Sequence, residues 1–128
     1  MVTEVKLVFC ARRLAHLSAE EFQDYWLNTH GPLVRSHAAT LGIRRYVQTH
    51  TDIRNAGIQQ AMAASRGAPE AFDGVAELWW DSIESFAASA GTPEGRAASR
   101  ELLEDERRFI DHSRSPLWIA EEHTIVEA

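Results

Sequence analysis

From Val5 to Cys10 nearly every position is apolar, with Val and Phe enriched, the pattern of a buried strand. Apolar residues then recur at helical spacing. Phe22 and Trp26 stand four apart with Tyr25 beside them, giving a strongly apolar face to a helix that opens at Ser18. Ser18 and Glu21 fit a capping box, in which each side chain satisfies the other residue's backbone N–H. Pro32 does not suit the interior of a continuous helix but does suit the first position of a new one. The stretch from Ser18 to Gly42 therefore predicts a helix, a break at His30-Gly31-Pro32 and a second helix. That second helix carries Leu33, His37 and Leu41 and stops at Gly42. Ile43 to His50 then alternates as a strand, with Tyr46, Gln48 and His50 on one face and Ile43, Val47 and Thr49 on the other.

Residues 51–72 carry a weaker pattern. Asn55 is placed to cap a short helix through Met62 with a thin apolar face of Ile58 and Met62, ended by Gly67 and Pro69. A connection this long is a candidate lid or dimer contact. Asp73-Gly74 turns into a third strand, Val75 to Trp80. Asp81, with Glu84 as reciprocal partner, predicts the cap of a helix that buries Ile83, Phe86 and Ala87 and stops at Gly91. Thr92 and Pro93 open another helix running to about Phe109. Its inner stripe of Ala98, Leu102, Asp105 and Phe109 places a carboxylate among apolar groups. Ser115-Pro116 precedes a last strand, Leu117 to Val126.

This order predicts an α+β, ferredoxin-like βαββαβ fold, a four-stranded antiparallel sheet with helices on one face. Residues 1–128 read as a single domain. Trp79 and Trp80 alternate to opposite faces of the third strand, so the face without helices is also apolar. A second copy of the chain is the economical cover, which predicts a homodimer joined through the sheet faces.

Composition narrows the partners. A net charge of −6 with no basic stripe argues against nucleic acid. No apolar run approaches the roughly 18 residues of a membrane span, and no leader pattern stands at the N-terminus. The single cysteine, Cys10, excludes an internal disulfide, and a cytoplasmic protein is expected.

His30 is the leading candidate for chemistry. Between two helix ends it meets opposing dipoles: the first favours the imidazolium and the second disfavours it. Neutral, it can take a proton; charged, it can stabilise an oxyanion. The alternative is a ring that bonds a backbone group and seals the break. His50 is second, in line with Tyr46 and Gln48; that row is either a solvated edge or the wall of a pocket inside the dimer. Glu77 lies in an apolar strand, on a wet face or paired, with Arg45 as the expected structural partner across the hairpin. Asp105 has the same ambiguity, with a structural N-cap or backbone bond the commoner use of such an aspartate. The four tryptophans read first as core, with Trp26 and Trp79 also candidate substrate contacts. No phosphate loop, serine elbow or zinc spacing occurs, so no cofactor or metal is expected.

The pattern Phe22, Tyr25-Trp26 and His30-Gly31-Pro32-Leu33-Val34 resembles the EthD family. So do Gly42-Ile43 leading to Tyr46, Gln48 and His50, the segment Asp73 to Trp79, and Asp105-Glu106 with Phe109 and Asp111. The resemblance spans nearly the whole chain and implies a dimeric α+β barrel. It also implies that His30 and His50 line a cavity, as the matching histidines do in relatives. Those relatives include cofactor-independent enzymes of polyketide and aromatic metabolism. On that footing the expected activity is acid–base proton transfer of lyase or isomerase type: dehydration, cyclisation or isomerisation of a polyketide, aromatic or lactone-type substrate. His30 and His50 would be catalytic, with Trp26, Tyr46, Gln48, Glu77, Trp79 and Asp105 binding substrate. A non-catalytic small-molecule binder and a cofactor-free monooxygenase are the alternatives.

Overall fold

The computed structural model describes residues 4–128; the start of the N-terminal stretch read for a leader lies outside them. The chain runs β1 (Val5–Ala11), α1 (Ala19–Tyr25), one π-helical turn (Trp26–His30), α2 (Gly31–Leu41), β2 (Arg45–His50) and α3 (Ala56–Ala64). It continues through β3 (Gly74–Trp80), α4 (Ile83–Ala90), α5 (Pro93–Glu106), a 3₁₀ turn (His112–Arg114) and β4 (Leu117–Ala120). The sheet order is β2-β3-β1-β4, and every neighbouring pair is antiparallel. This is the ferredoxin-like fold that the element order predicts.

The pleat sends Leu7, Phe9 and Ala11 of β1, and Ala76, Leu78 and Trp80 of β3, to the helical side. There Phe9, Ala11 and Ala76 join Phe22, Trp26, Phe109 and Ile110 in the core. Phe22 packs against Trp26 and Phe109 with ring centroids 5.4 and 5.5 Å apart, all three fully buried. The opposite sheet face carries Lys6, Val8, Glu77, Trp79 and Trp118. Trp79 is nevertheless buried: Lys6 and Arg45 lie over its ring, and its indole N–H donates to Glu122 at 2.5 Å. Trp118 stays 47% exposed.

The capping box forms as read, with Glu21 N–H donating to Ser18 Oγ at 3.0 Å and Ser18 N–H to Glu21 Oε1 at 2.9 Å. The predicted break does not form. His30 and Gly31 keep helical dihedrals, and Gly31 N–H donates to the Trp26 carbonyl five residues back. That one wide turn absorbs a proline whose ring and missing donor would disrupt a uniform helix. His30 therefore meets no pair of opposed helix ends.

Several boundaries also shift. Ser82, not Asp81, caps α4, because its hydroxyl accepts from Ser85 N–H. α5 ends at Glu106 rather than near Phe109. β4 stops at Ala120, opposite Lys6, near the end of its only partner strand. Asn55 precedes α3 without a side-chain cap and bonds Asp52 instead. Ile43 lies before β2 begins, so strand alternation does not govern it, and it borders the same cavity as Tyr46.

β3 opens at Gly74, where a Cβ would run into the Trp26 ring and come within 2.7 Å of the Thr49 carbonyl oxygen. Gly74→Ala should lower the unfolding free energy by about 1–3 kcal/mol in urea titration. Gly57→Ala, at a helical position with nothing within 4 Å, should be neutral or stabilising by up to about 1 kcal/mol.

Candidate active site

The wide turn determines which side chains face α5. In a uniform α-helix, residues five apart diverge by about 140°. Across the π-helical turn, Tyr25 and His30 instead reach the same carboxylate. His30 Nδ1 lies 2.7 Å from Asp105 Oδ2, and the Tyr25 hydroxyl donates to Asp105 Oδ1 at 2.5 Å. The Arg108 guanidinium, one turn along, donates to Oδ1 at 2.9 Å. His30 and Asp105 are 5% and 4% exposed. Burial pushes the Asp105 carboxyl up, but hydrogen bonds from Tyr25, His30 and Arg108 outweigh it and hold the group below the usual carboxylate range. Burial, and then the bond to Asp105, raise the Tyr25 phenol.

An ionised carboxylate only accepts, so Nδ1 of His30 carries the proton on that side. In the neutral ring, Nε2 is then the basic nitrogen. Among the described residues, no sealed side-chain nitrogen or oxygen lacks a hydrogen-bond partner. Nε2 has no hydrogen-bond partner among those residues, so it is not sealed, and the His30 ring lines a cavity. The cavity, of about 200 Å³, lies between sheet and helices and is walled largely by apolar groups, with Trp26, His30, Tyr46 and Glu106 among its lining.

A second chain of hydrogen bonds sets the direction of Tyr46. The Trp26 carbonyl can only accept, so the Gln48 group 2.9 Å from it is the amide nitrogen. That nitrogen also donates to the Tyr46 hydroxyl at 2.8 Å, while Gln48 Oε1 accepts from His50 Nε2–H at 2.8 Å. With its oxygen already accepting, Tyr46 keeps its own proton free to donate. Burial, partly offset by the bond from Gln48, pushes the Tyr46 phenol up to about 12, so it stays protonated near neutral pH. Burial lowers the His50 imidazole, which is neutral there.

His50 stands apart from the cavity that His30 lines. Its ring stacks on Trp26 at 4.5 Å and borders an open depression beside Gln23 and Ile53. The row Tyr46-Gln48-His50 faces the helices, so no pocket forms between two sheets from these residues. Glu77 and Trp79 lie on the other sheet face. Glu77 pairs with Lys6, not Arg45, because the register sets Arg45 against Trp79 and Val47 against Glu77. Asp105 sits behind His30 as its support and does not line the cavity. Sequence reasoning missed Tyr25, Arg108 and Glu106 as members of the site. Glu106 follows Leu102 by four, so the apolar stripe itself carried that signal. Among the described residues, no three His, Cys, Asp or Glu side chains converge to hold a metal ion. No helix there is long and apolar enough to cross a membrane.

The fold and site define a ferredoxin-like α+β domain with a carboxylate-supported histidine at the wall of an internal cavity. An EthD domain model matches residues 14–113, and the chain belongs to the EthD family. It is 26% identical over 123 residues to a protein of Claviceps purpurea named decarboxylase, covering 90% of this chain and 82% of that protein. Three solved structures are similar at the level of fold. An EthD family protein of Bacillus halodurans has a TM-score of 0.61 and 24% identity, covering 94% of this chain and all of that one. A dimeric ferredoxin-like protein of Bacteroides fragilis has 0.58 and 13%, covering 93% and 96%. SnoaB, a cofactor-independent oxygenase of Streptomyces nogalater, has 0.56 and 14%, covering 98% and 100%.

Because its folded pKa is lowered, Asp105 contributes stability that is complete above the ordinary aspartate value of about 3.9. That stability fades as pH falls through the lower folded value. Asp105→Asn should unfold at lower urea at neutral pH and show a flatter acid limb below about pH 4. Parallel acid limbs for the two proteins would detach Asp105 from acid unfolding.

Proposed function

We propose that this protein is a cofactor-independent enzyme that moves protons on a small, largely apolar oxygenated ring compound, with His30 as acid–base catalyst. The observation that carries this reading is the buried His30–Asp105 pair, set at an apolar cavity that His30 lines. Neutral His30 takes a proton at Nε2 from an acidic C–H or O–H of the substrate. Asp105 holds the ring's tautomer and stabilises the imidazolium that forms. The Tyr46 hydroxyl donates to the carbonyl oxygen on which negative charge grows. The imidazolium then returns the proton, to a departing hydroxyl in a dehydration or to another carbon in an isomerisation. The same parts would serve the activity named for the Claviceps relative: neutral His30 takes the proton of the substrate's carboxylic acid, CO₂ leaves with its C–C bonding pair retained as an enolate that Tyr46 stabilises, and the imidazolium returns its proton to the enolate carbon. Gln48 and His50 act as positioning residues for Tyr46.

The working unit in this proposal is a homodimer joined through the sheet face opposite the helices. Exposed Trp118 on that face and the dimeric Bacteroides fragilis neighbour support it.

Proton abstraction can be measured without knowing the product. A panel of enolisable aromatic ketones and lactones is incubated in D₂O, and solvent exchange is followed by NMR. Wild-type protein should accelerate exchange, and His30→Ala should lower the rate by about 10²–10⁴-fold with assembly mass and fold unchanged. Equal exchange in His30→Ala would remove His30 from the mechanism. Oxygen uptake with a phenolic substrate would favour oxygenation on the same site.

The second chain of bonds predicts a graded series in the same assay. Tyr46→Phe should cost roughly 10–100-fold, the loss of a hydrogen bond to a charged oxygen worth about 1.5–3 kcal/mol. His50→Ala, which removes the bond to Gln48 and the stacking on Trp26 but no group on the cavity, should cost roughly fivefold, about 1 kcal/mol. A His50→Ala loss as large as that of His30→Ala would make His50 a direct participant.

A further inference from the structure

β2 is an edge strand, and beside it α2 leaves an open groove of about 420 Å³. Val34, Ile43 and Tyr46 line both this groove and the His30 cavity, so the two spaces lie on either side of the same three side chains. Three arginines stand on the groove, Arg35 from α2, Arg44 just before β2 and Arg45 at its first position, and no acid among the described residues lines it. This is a local cationic rim on a chain whose net charge is −6. The three are not equivalent. Arg44 leans toward Asp81 at 3.6 Å, and Arg45 lies over the Trp79 ring at 4.6 Å. Arg35 is exposed, and among the described residues it has no carboxylate within 4.0 Å and no hydrogen-bonded side-chain partner.

We propose that this groove is an anchoring subsite for a carboxylate on the ligand, with Arg35 as the group that receives it. The inference rests on the assignment of the His30 cavity as the substrate site, and it names the class of substrate. The amide hydrogens of Gln48 are committed to Trp26 and Tyr46. A ligand anion entering here therefore finds the guanidinium groups and the Tyr46 hydroxyl as its side-chain donors, and of these Arg35 is the cation without a partner among the described residues. A planar carboxylate suits the forked guanidinium geometry. The ligand then lies with its charged end at Arg35, its ring system past Val34 and Ile43, and its reacting carbon toward His30. Tyr46 borders both spaces, so in this pose its hydroxyl meets the ligand between anchor and base.

The test is calorimetric titration of the full chain with 1-naphthoate and with its methyl ester, which differ in charge at one position. The acid should bind wild-type protein roughly tenfold or more tighter than the ester, as a charge-assisted hydrogen bond supplies. That preference should shrink as salt rises and fall toward unity in Arg35→Met. His30→Ala should keep it. Equal binding of acid and ester, a preference unmoved by Arg35→Met, or no binding of either compound would overturn the proposal. An intact acid preference in a protein that catalyses no deuterium exchange would instead sink the proton-transfer reading and leave the anchor standing.

Discussion

The ionised carboxylate of Asp105 is the constraint from which the rest of the site follows. A carboxylate removed from water costs several kcal/mol unless donors replace its hydration, and here three converge on it. Tyr25 and His30 come from the first helical segment, and Arg108 comes from beyond the end of α5. Satisfying that charge ties α5 to the opposite end of the helical layer. It also holds the imidazole in one orientation against the Phe109 ring, 5.0 Å away. A histidine in a packed apolar wall with one ring nitrogen bonded and the other open is pre-organised for proton transfer, since nothing has to move for it to act.

The second polar chain is ordered from one end by a group with no choice. The Trp26 carbonyl accepts both from Gly31 N–H and from the Gln48 amide. That single fact orients Gln48, then Tyr46, and determines which His50 nitrogen bears a proton. The His30 imidazole and the Tyr46 hydroxyl thus come from opposite layers of the fold, one from the helices and one from the sheet, and their residues line the same cavity. The long Tyr46 side chain reaches that space, whereas His50 is held back against the indole of Trp26.

Much of this was legible in the chain. The strand order, the capping box and the buried stripe through Ala98, Asp105 and Phe109 follow from local periodicity, because each depends on neighbours three or four residues away. His30 was legible from its setting beside Gly31-Pro32, though for a different reason than the one that holds. A proline there suggested a chain break, while the chain adopts a wide helical turn, and hydrogen bonding one residue out of step leaves no compositional mark. The partner of His30 lies 75 residues away, and no spacing rule reports such a distance. Likewise the choice of face for Tyr46, Gln48 and His50 was open, since alternation tells that residues share a face but not which layer covers it. Glu77 and Trp79 lie on the other face, away from that row.

The turn from Trp26 to His30 also limits how this segment can vary in length. Its wide hydrogen bonding accommodates one residue more than a regular helix would, and that residue puts Tyr25 and His30 on one acceptor. Deleting one residue there would let the helix close regularly, with no loss of helical content. It would also rotate the imidazole away from its carboxylate by about 100°. Such a protein could keep its helices and sheet and still lose the oriented base. Evolution at this segment is therefore freer to substitute side chains than to add or remove residues between Tyr25 and Pro32.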